Sequence, residues 1–355
     1  MAHAVLMSPV PGGDAGGVER FCRLIGEALE GEGWQVSIVG PTRQPTRWEF
    51  RLGGSPLVWS TSTGRAVAAA DRHPDLVVGN GFLGLGSPRG MPRIQVFHGT
   101  SVAETLASAP GLPRREVVRR LAGYWSLEAV TCRAGALVVV SETAAQETRR
   151  YYRRAPAAVI PNGVDTAVFS PRDRAGARER LGLDARRSYA LFVGRLEYRK
   201  GADLLMPACR DAGFELAIAG SKGAPGAHHL GVLDAAGLAD AYAAADCVLF
   251  PTRYEACSYV ILEGLACATP VVTTRVGWMR TFLRAMPEYE ALCVEPEATD
   301  VAAGLRRLRD IDATGAAARA REWLVEHNGL DRFRSDWLAL IDDVVAGRIT
   351  SAVRR

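Results

Sequence analysis

The sequence predicts an α/β protein built from two doubly wound domains in series. Three observations carry that prediction. Short apolar runs alternate with amphipathic stretches, the pattern of parallel strands covered by helices on both faces. The alternation stops in a charged stretch with Pro and Gly, 170–187, and then restarts. A chain of 355 residues also suits two domains of ordinary size.

The first strand is read at Ala4 to Met7, followed by the glycine-rich "SPVPGGDAGG" and a helix from Val18 to Glu30. Strands follow in "WQVSIVG", "DLVVGN" and "RIQVFHG". A basic helical region runs from Arg114 to Cys132, then comes a strand in "ALVVVS" and another in "AAVIPNGVD", with a sharp Asn-Gly turn. Beyond the boundary, "YALFVG", "ELAIAG", "CVLFP" and "PVVTT" read as strands. Helices are expected from Ala202, around Glu263, and through the tail from Val301. Ligands of such folds bind beyond the carboxyl ends of the strands, so a cleft between the domains is the expected site.

Composition narrows the class. At 48% hydrophobic and 23% charged, the chain has the profile of a soluble globular protein. A net charge of +4 does not indicate a nucleic-acid binder, although it tolerates an anionic ligand. The seven cysteines are odd in number and lack a C-x-x-C pair, which argues against a disulfide framework or a zinc site. No signal peptide is visible and no apolar run nears the ~18 residues of a membrane span, so the expected location is cytoplasmic.

Four segments hold candidate chemistry. In "YEACSYVILEGLACATPVV", a strand ends at Pro251 and a helix is expected to begin near Ser258. Glu255 then precedes the helix, and Glu263 lies roughly 7.5 Å along it. Between them fall the free N–H groups of the first turn, an anion site by backbone geometry. A nucleoside diphosphate sugar has a matching order of sugar hydroxyls, diphosphate and ribose. The other reading is a solvated loop carboxylate and a helix-surface carboxylate. In "FVGRLEYRKGADLL", Arg195 and Lys200 follow a strand, and Lys200 is one of only two lysines beside Lys222. A guanidinium with an ammonium supplies positive charge for a departing diphosphate without metal. An exposed basic loop is the alternative. Gly12, Gly13, Gly16 and Gly17 permit close approach to phosphates, but the G-x-G-x-x-G spacing and the ribose-holding acid of a dinucleotide fold are absent. A structural turn remains open there. His98 ends a strand in "VFHGT", where it can donate to a sugar hydroxyl or to developing charge, or serve only as a hydrogen-bonded strand end.

Together these segments resemble the retaining glycosyltransferases of family 4, which have the GT-B fold of two Rossmann-like domains facing a central cleft. The resemblance covers nearly the whole chain, and Glu255 and Glu263 fit the family's Glu-x7-Glu motif. It implies an acceptor-binding domain, 1–170 plus a returning C-terminal helix at about 331–355, and a donor-binding domain, 171–330. Glu255 would hold the donor sugar and Glu263 the ribose. Arg195 and Lys200 would stabilise the leaving diphosphate. Gly16 and Gly17 would approach it, and His98 would face the transferred sugar. Ala256, Cys257, Ser258, Tyr259 and Val260 complete the implied donor site. Relatives often carry Gly-Phe-Gly where Ala256, Cys257 and Ser258 stand, which leaves the sugar open.

The resemblance also implies a UDP-sugar co-substrate, no cofactor and no metal. Asp310-Ile-Asp312 is discounted as a metal motif because it lies in a helical region. The base is expected near "HHLGVLD". The acceptor is a small molecule, a glycan or a lipid. Basic and aromatic residues in 113–132 suit either peripheral membrane contact or an ordinary solvated helix. The rival functions are a non-catalytic nucleotide-sugar-binding subunit and a nucleotide-sugar hydrolase or epimerase. Oligomeric state is not indicated.

Overall fold

The computed structural model describes residues 1–11, 16–46, 55–70 and 72–349. Gly12 and Gly13 of the expected phosphate loop, and residues 350–355, lie outside the described residues. The chain divides into two compact units, Met1–Pro161 with Phe333–Arg355, and Asn162–Arg332.

The first unit runs β1 (His3–Met7), α1 (Gly17–Gly31), β2 (Gln35–Val39), α2 (Ser55–Ala68), β3 (Leu76–Asn80) and β4 (Arg93–Phe97). It continues with α3 (Ser101–Ser108), α4 (Arg114–Thr131), β5 (Ala136–Val139), α5 (Glu142–Tyr152) and β6 (Ala158–Val159). Among the described residues, six strands form a parallel sheet in the order β2-β1-β3-β4-β5-β6. The inner strands β1, β3 and β5 are buried along their whole length, which is why they read as unbroken apolar runs.

The second unit runs α6 (Arg174–Leu181), β7 (Tyr189–Val193), α7 (Ala202–Ala212), β8 (Glu215–Ala219), β9 (His228–Gly231), α8 (Ala235–Ala244) and β10 (Cys247–Phe250). Then come α9 (Tyr259–Ala266), β11 (Val271–Thr273), α10 (Met279–Ala285), α11 (Ala298–Arg307) and α12 (Ala313–Asn328). Its parallel sheet has the order β11-β10-β7-β8-β9. The last described helix, α13 (Leu330–Val345), belongs to the first unit from Phe333 on, where Phe333 and Trp337 pack against Phe21 of α1 with ring centroids 6.3 and 5.1 Å away.

Several elements depart from the expectation. The charged stretch 170–187 is not a plain linker, since it contains α6. Asp173 caps that helix by accepting from Ala175 and Gly176, and Gly182 closes it at φ 66°. Its arginines dock it: Arg174 and Arg178 both pair with Asp246 at 2.9 Å, and Arg180 pairs with Asp240 at 2.7 Å. Nor is a turn formed at Asn162-Gly163, where the chain has no turn and neither residue has a positive φ. The Asn162 side chain instead donates to the Cys257 carbonyl at 2.8 Å, and Val164 bridges to Gly329. These bonds hold Asn162 within the second unit.

Candidate functional site

In the second unit, the carboxyl ends of β7 and β10 bring two charged segments together. The loop after β7 tightens into a 3-10 turn at Tyr198–Lys200 that ends on Gly201 at φ 74°. A Cβ on Gly201 would lie 2.2 Å from the Pro251 carbonyl oxygen, so glycine is what lets this turn sit against the end of β10. The Arg199 carbonyl then accepts from the Arg253 amide at 2.7 Å.

Arg199 was not singled out from the sequence. Its guanidinium reaches Oε1 of Glu255 at 2.9 Å and also donates to the Tyr254 carbonyl at 3.0 Å. Glu197 approaches it at 3.5 Å. The pair is largely buried, with 13% of the Arg199 side chain and 20% of the Glu255 side chain exposed. Glu255 is therefore not a solvated loop carboxylate. The available signal was Arg199 itself, beside Lys200 in "YRK".

Lys200 is different in kind. Its ammonium lies 5.6 Å from the centroid of the Phe250 ring. Burial lowers its pKa, while the charge of Glu255 works the other way. Among the described residues it makes no side-chain hydrogen bond or ion pair. A desolvated cation without a bonded acceptor is costly, and a bound anion would relieve that cost. Arg195 is 73% exposed and paired with Glu197 at 3.1 Å.

Ser258 caps α9 through its backbone only, and its hydroxyl makes no cap hydrogen bond. The preceding carbonyls turn into the protein: Ala256 accepts from the Trp278 amide at 2.7 Å and Cys257 from Asn162 at 2.8 Å. Ala256, Cys257 and Ser258 are buried, whereas Tyr259 and Val260 at the first turn are half-buried. Burial pushes the Cys257 thiol up to about 12, so it is a neutral group here. Glu263 is 3% exposed, which overturns the helix-surface reading. Its Oε2 accepts from the Tyr242 hydroxyl at 2.7 Å. Tyr242 was missed because it reads as one more apolar residue in the alanine-rich α8.

The segment proposed for the base forms β9 and its exit. His228 faces Glu215 at 3.7 Å, and His229 meets the Gly220 carbonyl at 2.8 Å. Asp234 caps α8. Asp310 lies between α11 and α12, and Asp312 caps α12 by accepting from the Gly315 amide. Both acids of the discounted D-x-D thus fall at helix ends.

In the first unit, Gly16 caps α1 without a side-chain bond and Gly17 opens it. A Cβ on Gly16 would lie 2.0 Å from Oε2 of Glu19, so that carboxylate folds over the helix start. His98 follows β4, and its Nε2 lies 2.9 Å from Oδ1 of Asn80. Burial pushes its pKa down to about 4, leaving a neutral ring at physiological pH. Phe21 meets the ring edge-on at 4.8 Å.

Of the basic residues in 113–132, Arg119 and Arg120 both pair with Glu116, at 2.6 and 2.8 Å. The hydrogen bond from Arg119 leads in holding the Glu116 carboxyl down at about 2. These residues, with Ser55, Trp59 and Tyr124, line a cavity of about 210 Å³. Trp125 is half exposed, and its indole donates to the Tyr151 carbonyl at 3.2 Å. Among the described residues no helix is long and apolar enough to cross a membrane.

Two family models match the chain. The model described as Glycosyltransferase Family 4 covers residues 15–168, and the one described as Glycosyl transferases group 1 covers 187–310. A D-inositol 3-phosphate glycosyltransferase of Segniliparus rotundus is 33% identical over 53% of this chain and 46% of its own. One from Thermomonospora curvata is 29% identical over 87% of each chain. Matches to the first two such relatives span about half of their length. Among solved structures, a sucrose-phosphate synthase from Thermosynechococcus elongatus superposes with a TM-score of 0.82 at 22% identity, covering 98% of this chain and 100% of its own. Anabaena HepE in complex with UDP-glucose gives a TM-score of 0.70 at 14% identity, covering 97% and 100%.

Proposed function

The chain belongs to glycosyltransferase family 4 and has the GT-B fold; on that premise we propose that it moves a hexosyl group, with retention, from a UDP-sugar to a hydroxyl of a small polyol or sugar. The observation that carries this reading is the arrangement around the start of α9. A partnered carboxylate, Glu255, and a second, Glu263, bracket first-turn N–H groups that the Ser258 hydroxyl does not cap. Lys200 adds a desolvated positive charge.

The residues fit the parts of the donor. Carboxylates accept from vicinal hydroxyls without donating, which suits Glu263 to ribose and Glu255 to the sugar. The helix start and Lys200 suit the diphosphate, whose charge grows as the bond to the anomeric carbon breaks. Arg195, exposed and held by Glu197, joins them by exchanging that partner for phosphate. The acceptor oxygen attacks on the face the diphosphate leaves, and its proton passes to the departing phosphate oxygen. No protein nucleophile is assigned, and the buried Cys257 thiol is neutral. We assign the positive charge to Lys200 and Arg195 rather than to a metal.

A UDP-glucose complex of HepE and relatives named for inositol 3-phosphate support the donor and acceptor classes. The acceptor is assigned to the first unit, near the cavity of Trp59, Tyr124, Arg119 and Arg120. Membrane contact through 113–132 has less support, because Glu116 already engages two of its arginines.

The test is a panel of nucleotides followed by calorimetry, then turnover of the matching sugars with polyol acceptors. The reading requires UDP to bind, and the product to keep the donor's anomeric configuration. Binding without turnover on any donor would favour an inert binder, release of free sugar alone would favour a hydrolase, and an inverted product would reject retention.

A further inference from the structure

We infer that Asn80 is a positioning residue that fixes His98 as a hydrogen-bond acceptor, with Nε2 protonated toward the protein and Nδ1 bare toward a sugar hydroxyl. The inference rests on the transferase reading for the identity of the hydroxyl, but its geometry stands in the first unit alone.

Asn80 ends β3 and is 3% exposed. Its Nδ2 donates to the Met7 carbonyl at 2.7 Å and lies 3.3 Å from the Cys22 sulfur. The Met7 carbonyl can only accept, which settles which end of the amide is nitrogen. The oxygen therefore faces His98, 2.9 Å from Nε2. An amide oxygen only accepts, so Nε2 must carry the hydrogen. Because protonation waits until about pH 4, the ring at neutral pH holds one proton, and Asn80 has claimed it.

Nδ1 is then a lone-pair acceptor. Among the described residues it has no hydrogen-bond partner, and it is not one of the sealed polar atoms. The groups facing the ring are Phe21 from α1, edge-on, and Asn80 from β3. The Cys22 thiol beside Asn80 is pushed up by burial to about 12 and so neutral. Burial alone accounts for the ring's low basicity, with no charged side chain contributing. The consequence differs from the sequence expectation. A ring in this state does not donate to a sugar or stabilise negative charge on a leaving diphosphate. It receives a hydroxyl hydrogen, so it selects and orients a neutral polyhydroxyl group.

The test uses the full chain labelled with 15N-histidine, with the His98 signals assigned by their loss in His98→Gln. The expected spectrum at neutral pH is a single Nε2–H tautomer with a ring hydrogen protected from exchange. An Nδ1–H ring or an imidazolium would overturn the inference, whatever the enzyme turns over. Asn80→Ala should lose the protection and lower kcat about tenfold while UDP affinity holds, as expected for a group that acts only through orientation. Asn80→Asp keeps an acceptor for Nε2–H but adds charge, so it should restore protection and raise the His98 pKa by about 1–3 units. The acid limb of the rate profile should move with it. A purely structural Asn80 would leave tautomer and acid limb unchanged. If the tautomer is as expected but no donor turns over, the transferase reading fails and the assignment of Asn80 does not.

Discussion

The hydroxyl of Tyr242 stands 2.7 Å from Oε2 of Glu263, so the buried carboxylate of α9 is oriented by α8. That makes Glu263 a preorganised acceptor, and two variants separate its parts. Glu263→Ala should weaken UDP binding by about 1–3 kcal/mol, the cost of leaving hydroxyls unpaired. Tyr242→Phe keeps the carboxylate and should cost about 1 kcal/mol. Calorimetry of both and of the double variant gives their coupling. Strict additivity would mean that Tyr242 does not orient Glu263.

Lys200 makes a prediction in protons. Burial depresses its pKa below the ordinary 10.5, so the folded chain gives up this proton before the unfolded chain does. Stability from this group therefore rises with pH between the depressed value and 10.5. A bound diphosphate favours the ammonium, so UDP binding at alkaline pH should draw a fraction of a proton from solution. Titration in buffers of different ionisation enthalpy should reveal the uptake, and Lys200→Met should abolish it. Equal buffer dependence in both proteins would remove Lys200 from the diphosphate.

Glu128 predicts a pH-dependent stability in the first unit. Its carboxylate, 2% exposed, accepts from the Ser101 amide at 3.0 Å and the Ser101 hydroxyl at 2.6 Å, and from the Tyr152 hydroxyl. Burial outweighs these bonds and raises its pKa from 4.5 to about 7. The folded chain thus holds a proton that the unfolded chain has released. The associated stability is fully present below pH 4.5 and is lost as pH rises through about 7. The loss is on the order of 3 kcal/mol. Denaturant unfolding of the wild type minus Glu128→Gln should fall across that window. A flat difference would show that Glu128 ionises normally.

The inner strands were legible because burial on both faces writes them as apolar runs, whereas β9, with its two exposed histidines, escaped. The helices that escaped did so for chemical reasons. In α2 the hydroxyls that look like loop formers bond back along the helix, Thr61 to Leu57 and Thr63 to Trp59, both at 2.8 Å. In α6 the charges are docking groups for Asp240 and Asp246, partners distant in sequence. The same limit hid half of the candidate site. Glu255, Glu263, Lys200 and His98 stood out by residue type and spacing. Arg199, Tyr242 and Asn80 act through contacts 56, 21 and 18 positions away, which no local pattern encodes.

Gly277 gives the last prediction, and it too was invisible in the sequence. It holds φ 54°, and a Cβ there would lie 2.0 Å from the Glu255 carbonyl oxygen and 2.3 Å from that of Ala256. These are backbone atoms of the loop before α9, tied down by the Trp278 amide 2.7 Å from the Ala256 carbonyl. Nothing in that contact yields without moving the loop. Gly277→Ala should therefore cost about 1–2 kcal/mol of backbone strain and displace Glu255 from Arg199. UDP affinity should fall more than the melting temperature alone would suggest, because the loop and not the core takes up the strain. Gly213, at φ 73° with its nearest neighbour 3.6 Å from the added carbon, is the control. Gly213→Ala should show similar strain with unchanged UDP binding. Equal losses of affinity in both variants would mean that Gly277 matters only to folding.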